Sequence, residues 1–163
     1  MPAGGRAYYS DLGRIVARGR RSTATGNITT TETGVIRLDN VPVFDSRAYM
    51  IASANLNVDA SVANDIGELR YRVTQQTTPG TSATTSSTQM GRWRSTIDDA
   101  TNSNVLPFVA FYYPSADGYL SVLLSAFRAA GSGNIVVFAN NVEPIDLVVV
   151  DLGPDPGDTG VVI

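Results

Sequence analysis

The sequence predicts an all-β protein, a jelly-roll-like β-sandwich of about eight strands preceded by an extended N-terminal arm. Three observations carry that expectation. From Gly34 onward, runs rich in β-branched and aromatic residues recur between clusters of Gly, Pro, Asn and Asp. In the clearest of these runs apolar and polar residues alternate at period two, the signature of a half-buried strand. No internal repeat is visible, which argues against a propeller or solenoid. Eight strands of this length with several long connections suit a jelly roll.

The first 33 residues read as the arm. Tyr8, Tyr9, Leu12, Ile15 and Val16 follow the spacing of a short amphipathic helix, with Arg14, Arg18 and Arg21 on another face. Ser10 or Asp11 suits its N-cap and Gly19 its end. Residues 22–33 are polar, threonine-rich and without period. Such a segment is either a loosely ordered tail or an anchor that orders on a partner, burying its tyrosines and pairing its arginines with carboxylates.

Residues 34–153 form the predicted sandwich. Val35 to Leu38 and Val41 to Val43 open it, and residues 47–58 alternate Tyr49, Ile51 and Ser53 against Met50, Ala52 and Ala54. Residues 65–76 place Leu69, Tyr71 and Val73 opposite Glu68, Arg70 and Arg72. Residues 77–88 read as an exposed loop, 89–97 as a strand and 98–104 as a polar connection. Residues 106–113 are a strand ended by Pro114. Residues 119–130 carry leucines at helical spacing, but their place between Asp117-Gly118 and Gly131-Ser132-Gly133-Asn134 favours a hairpin arm. Residues 135–138 and 145–152 complete the set. The tail, residues 154–163, opens on Pro154-Asp155-Pro156-Gly157, which continues neither helix nor ladder.

Composition excludes most catalysis. Among 163 residues there is no Cys and no His, and all twelve cationic residues are Arg. Thiol nucleophiles, zinc–thiolate sites, imidazole bases and lysine Schiff bases are therefore out. No cofactor is expected. A formal net charge of −3 makes the chain a poor binder of phosphate backbones, so no nucleic-acid partner is expected. No apolar stretch approaches the roughly 20 residues of a membrane helix, and the N-terminus lacks the apolar segment of a secretory signal.

The remaining motifs carry little chemistry. Asp158-Thr159-Gly160 matches the aspartic-protease tripeptide but has no second copy. A carboxylate-only glycosidase would have to draw on Glu32, Glu68 and Glu143 or the aspartates, none of them in an aromatic-rich sugar-binding context. The aspartates lack the spacing of a calcium loop. Arg92-Trp93-Arg94 has the residues of a base-stacking platform, yet a strand would turn Trp93 inward, away from its arginines. Trp93, Tyr112 and Tyr113 are the rings that a carbohydrate-binding jelly roll would use. Asn27-Ile28-Thr29 is a glycosylation sequon.

One family resemblance accompanies these readings. Gly5-Arg6-Ala7-Tyr8-Tyr9-Ser10-Asp11-Leu12-Gly13-Arg14, the stretch from Thr31 to Val43, and Arg47-Ala48-Tyr49-Met50-Ile51 resemble the start of small virion proteins of tailed actinobacteriophages. The exclusive use of Arg over Lys agrees with a GC-rich host. The resemblance implies a non-enzymatic structural component of the virion, a minor tail (tail-tip) protein in the first instance and a capsid decoration protein in the second. It implies a homotrimer that docks on other virion proteins through its arm, with Tyr8, Tyr9 and Leu12 as anchors and Arg14, Arg18, Arg20 and Arg21 as pairing groups. The exposed loops would then face outward toward a host envelope receptor or glycan.

Overall fold

The computed structural model describes residues 13–97 and 108–155. The expected arm anchors Tyr8, Tyr9 and Leu12, the whole 98–104 connection and the Asp158-Thr159-Gly160 tripeptide lie outside them. Ten strands are formed: β1 (Arg14–Arg21), β2 (Thr33–Val43), β3 (Arg47–Ala54), β4 (Asn57–Ala60), β5 (Asp65–Gln76), β6 (Thr88–Ile97), β7 (Phe108–Tyr112), β8 (Gly118–Ala130), β9 (Ile135–Phe138) and β10 (Ile145–Pro154). They make two four-stranded sheets, β1-β10-β3-β7 and β2-β8-β5-β6, and a small β4-β9 pair. All pairings are antiparallel. With the small pair set aside, chain order through the two sheets is first-last-third-sixth and second-seventh-fourth-fifth, the double Greek key of a jelly roll.

The period-two pattern decides which side chains go inside. Tyr49 and Ile51 of β3, Ala110 and Tyr112 of β7, and Leu147 and Val149 of β10 face Leu69, Tyr71 and Val73 of β5 and Leu120, Val122 and Leu124 of β8 across the core. Tyr71 ties the sheets together. Its ring stacks on Phe108 with centroids 4.1 Å apart, and its hydroxyl lies 2.6 Å from both Ser53 Oγ and the Phe108 carbonyl. A carbonyl only accepts, so the phenol donates to Phe108 and accepts from Ser53. Burial pushes this phenol far above its ordinary pKa, against the smaller opposing effect of Ser53.

Three elements differ from expectation. The helical spacing around Ile15 and Val16 is not a helix: residues 14–21 form β1, paired with β10 from Arg14↔Asp151 to Arg21↔Ile145. A helix of so few residues is marginal alone, whereas pairing beside the apolar run of β10 satisfies the backbone and buries Val16 and Ala17 in part. Residues 47–58 are two strands, because Asn55 takes a left-handed turn at φ 57° and separates β3 from β4. Together with β1, that break raises the strand number from eight to ten. The 77–88 segment is not simply exposed: it folds back, burying Ala83, and the Thr81 carbonyl accepts a hydrogen bond from Ser121.

Candidate functional site

The two sheets treat their outer faces differently. On β2-β8-β5-β6 the outer face is polar and closed by the chain itself. Glu32, arriving just before β2, accepts from Arg70 at 2.9 Å and from Arg72 at 2.7 and 2.8 Å, and also takes the hydroxyl of Ser125. Arg70 also reaches the buried Glu68 at 2.7 Å and lies over the Phe127 ring. Burial raises the Glu32 carboxyl, but the hydrogen bonds from Arg72 and Ser125 and the charges of Arg72 and Arg70 outweigh it and hold the group below its ordinary pKa. The folded-back 77–88 segment covers the other end, where Thr74 and Ser87 hydroxyls meet at 2.8 Å.

The outer face of β1-β10-β3-β7 is apolar. One row across all four strands reads Ile15, Val150, Met50, Phe111, and the next reads Arg18, Val148, Ala52, Val109. Ile15 is 57% exposed, Phe111 55% and Val109 42%; Tyr113, just beyond β7, and Leu152 are exposed as well. Charge is confined to one corner, where Arg18 and Arg20 both bind Asp146, at 2.8 and 3.0 Å. Their hydrogen bonds hold the Asp146 carboxyl down at about 2.

The residues expected to bind a partner are therefore split. Arg18 and Arg20 are engaged with Asp146. Arg21 donates to the backbone carbonyls of Thr23, Ala24 and Val35. Arg14 is exposed and lines a groove of about 270 Å³ with Val16, Pro42, Phe44, Tyr49 and Asp151. Tyr8, Tyr9 and Leu12 lie outside the described residues. The signal for the apolar rows is that β7 and β10 carry hydrophobic residues on both faces, with Ala110, Tyr112, Leu147 and Val149 buried and Val109 and Phe111 exposed.

The acidic side chains Glu32, Glu68 and Asp146 are engaged in ion pairs and not set out around a cleft. Among the described residues no cluster of three His, Cys, Asp or Glu is placed to hold a metal. Glu32 and Glu68 share one guanidinium instead of facing each other across a cleft, and a carboxyl held below its ordinary pKa is unsuited to act as a general acid. A groove of about 440 Å³ beside Gln75, Ser87, Met90 and Tyr112 has no charged lining. Trp93 packs partly into the core and Tyr112 is buried, leaving only Tyr113 of the three candidate sugar-stacking rings exposed.

Frame and faces thus define a jelly-roll module with one polar and one apolar outer face. No family model matches the chain, and no curated protein matches it. Solved structures that match include several of infectious bursal disease virus. They include the VP2 subviral particle, with 11% identity, 88% of this chain and 38% of that one covered and a TM-score of 0.45. A D431N VP2 protein forming T=1 particles gives 11%, 93%, 43% and 0.45, and the Gx strain gives 12%, 90%, 38% and 0.44. The chain spans about two fifths of the length of these proteins. The resemblance of residues 5–51 to tailed-actinobacteriophage proteins is corrected by this outcome, since these matches are to a virus of another kind, and with it go the bacteriophage and minor-tail assignments.

Proposed function

We propose that this chain is a structural subunit of a virus particle, a capsid-type or capsid-decorating jelly roll that acts through its surfaces as part of a multimer. The observation that carries the reading is a jelly-roll frame with an outer sheet face that is apolar across four strands and uncovered by described residues. Monomeric proteins rarely leave such a face to water. Jelly rolls serve capsids and lectins alike, and the lectin reading is weakened by the burial of Tyr112 and the inward packing of Trp93. The docking segment is narrowed from residues 1–33 to residues 1–12, with Tyr8, Tyr9 and Leu12, because Arg14–Arg21 form β1 and Arg18, Arg20 and Arg21 are engaged within the module.

The test is reconstitution. Purified chain is added to parent particles lacking it, and incorporation is read by cryo-EM and by the stoichiometry of bound protein. Regular, saturable occupancy of the particle surface is expected, and removal of residues 1–12 should leave a folded module that no longer incorporates. Absence of any saturable binding would refute the reading; retained incorporation without residues 1–12 would remove their docking role.

A further inference from the structure

We infer that the outer face of β1-β10-β3-β7 is seated against a second copy of this chain. The inference deepens the contact reading above by naming the partner, and it stands on the chemistry of the face. The two rows from Ile15 to Phe111 and from Arg18 to Val109 hold seven apolar side chains and one arginine. An aqueous ligand with polar groups, a glycan or a nucleic acid, would find almost nothing there to hydrogen-bond. The one charged cluster, Asp146 with Arg18 and Arg20, is already internally paired, so an opposing surface need bring no counter-charge. A flat apolar sheet face is complementary to another of its own kind, since two such faces pack about 10 Å apart with interdigitating side chains.

Area supports a copy over a small ligand. The exposed parts of Ile15, Val109, Phe111, Tyr113 and Leu152, with the half-buried Met50, Val148 and Val150 between them, present on the order of 500 Å² of apolar surface, at the upper end of what a monomer shows. Interfaces are roughly 60% apolar. The patch therefore corresponds to about 800 Å² per partner, the standard size for a specific protein–protein contact. The other sheet offers no equivalent, because Glu32 and the folded-back 77–88 segment close it.

The experiment is the mass of the full chain in solution, measured by sedimentation equilibrium over a concentration series. A concentration-dependent multimer is expected. Phe111→Asp and Ile15→Asp, on opposite edge strands of one row, should each weaken self-association by at least about tenfold with circular dichroism unchanged. Val62→Asp, in the turn between β4 and β5, should leave it intact. A chain that stays monomeric up to sub-millimolar concentration overturns the inference. So does a multimer indifferent to both row variants. A multimer that forms only after residues 1–12 are removed also overturns it, because the chain's own N-terminal segment then fills the face. If one row variant fails to fold, the other decides. No particle enters these measurements, so their failure is separate from a failure to incorporate.

Discussion

Removing the Tyr71 hydroxyl should unlatch the two sheets without disturbing their packing. In Tyr71→Phe the ring still stacks on Phe108, and only one oxygen is lost. That oxygen serves two buried partners, the Phe108 carbonyl and Ser53 Oγ, each 2.6 Å away, and Ser53 is 2% exposed. Neither partner can turn to water. An unsatisfied buried group costs about 1–3 kcal/mol, and the Ser53 hydroxyl can relieve part of its share by rotating, so a loss of about 2–3 kcal/mol is expected. For a domain of this size each kcal/mol moves the midpoint by roughly 2–4 °C, giving a fall of roughly 5–10 °C. Urea unfolding followed through the fluorescence of Trp93, the single tryptophan, measures the loss directly, with the slope unchanged. Adding Ser53→Ala should recover part of it by removing one orphan. A Tyr71→Phe chain within about 0.5 kcal/mol of the parent, the ordinary scatter of surface changes, would refute the latch.

Glu32→Gln should cost about 2 kcal/mol in the same assay, since it leaves the partly buried Arg70 and Arg72 without their shared carboxylate; Glu32→Gln with Arg72→Gln should cost less than the two changes summed. Acid should act through Asp146. Its folded pKa of about 2 lies below the ordinary carboxylate value, so its stabilisation is complete above pH ~4 and is lost as pH falls through about 2, and an Asp146→Asn chain should show a flatter thermal midpoint across that window. Alkali acts oppositely on Tyr112, whose phenol burial raises to about 12. Its contribution is complete below the ordinary tyrosine range near pH ~10 and disappears as pH rises through about 12. Tyrosine ultraviolet titration should therefore show a late group, including Tyr49 and Tyr71, that ionises only as the fold is lost.

The frame was legible wherever one strand face meets core and the other meets water. Residues 65–76 alternate cleanly because Leu69, Tyr71 and Val73 are buried while Arg70 and Arg72 lie on the outer face, and β5 follows that pattern. Residues 119–130 were legible through their flanking turns alone: Gly131 sits at φ 104° against Asp65, where a side chain would clash, so the leucine spacing yields to the hairpin. The strand β1 was hidden because Tyr8 to Val16 supplied a helical period and its true partner, β10, lies more than a hundred residues away. The apolar outer face was hidden for a related reason. Rows across a sheet join Ile15, Val150, Met50 and Phe111, which are scattered through the chain and become neighbours only once the strand order is known.

That strand order also dictates when the molecule can be completed. The strand β10 lies between β1 and β3, so the first sheet has a gap in its middle until Ile145–Pro154 has left the ribosome. Until then β1 and β3 each present an open edge, a state prone to mispairing in a crowded cell. The second sheet closes earlier, with β8. Insertion of β10 thus seals the first sheet, and a chain truncated before Ile145 should accumulate as an aggregate instead of a smaller soluble domain.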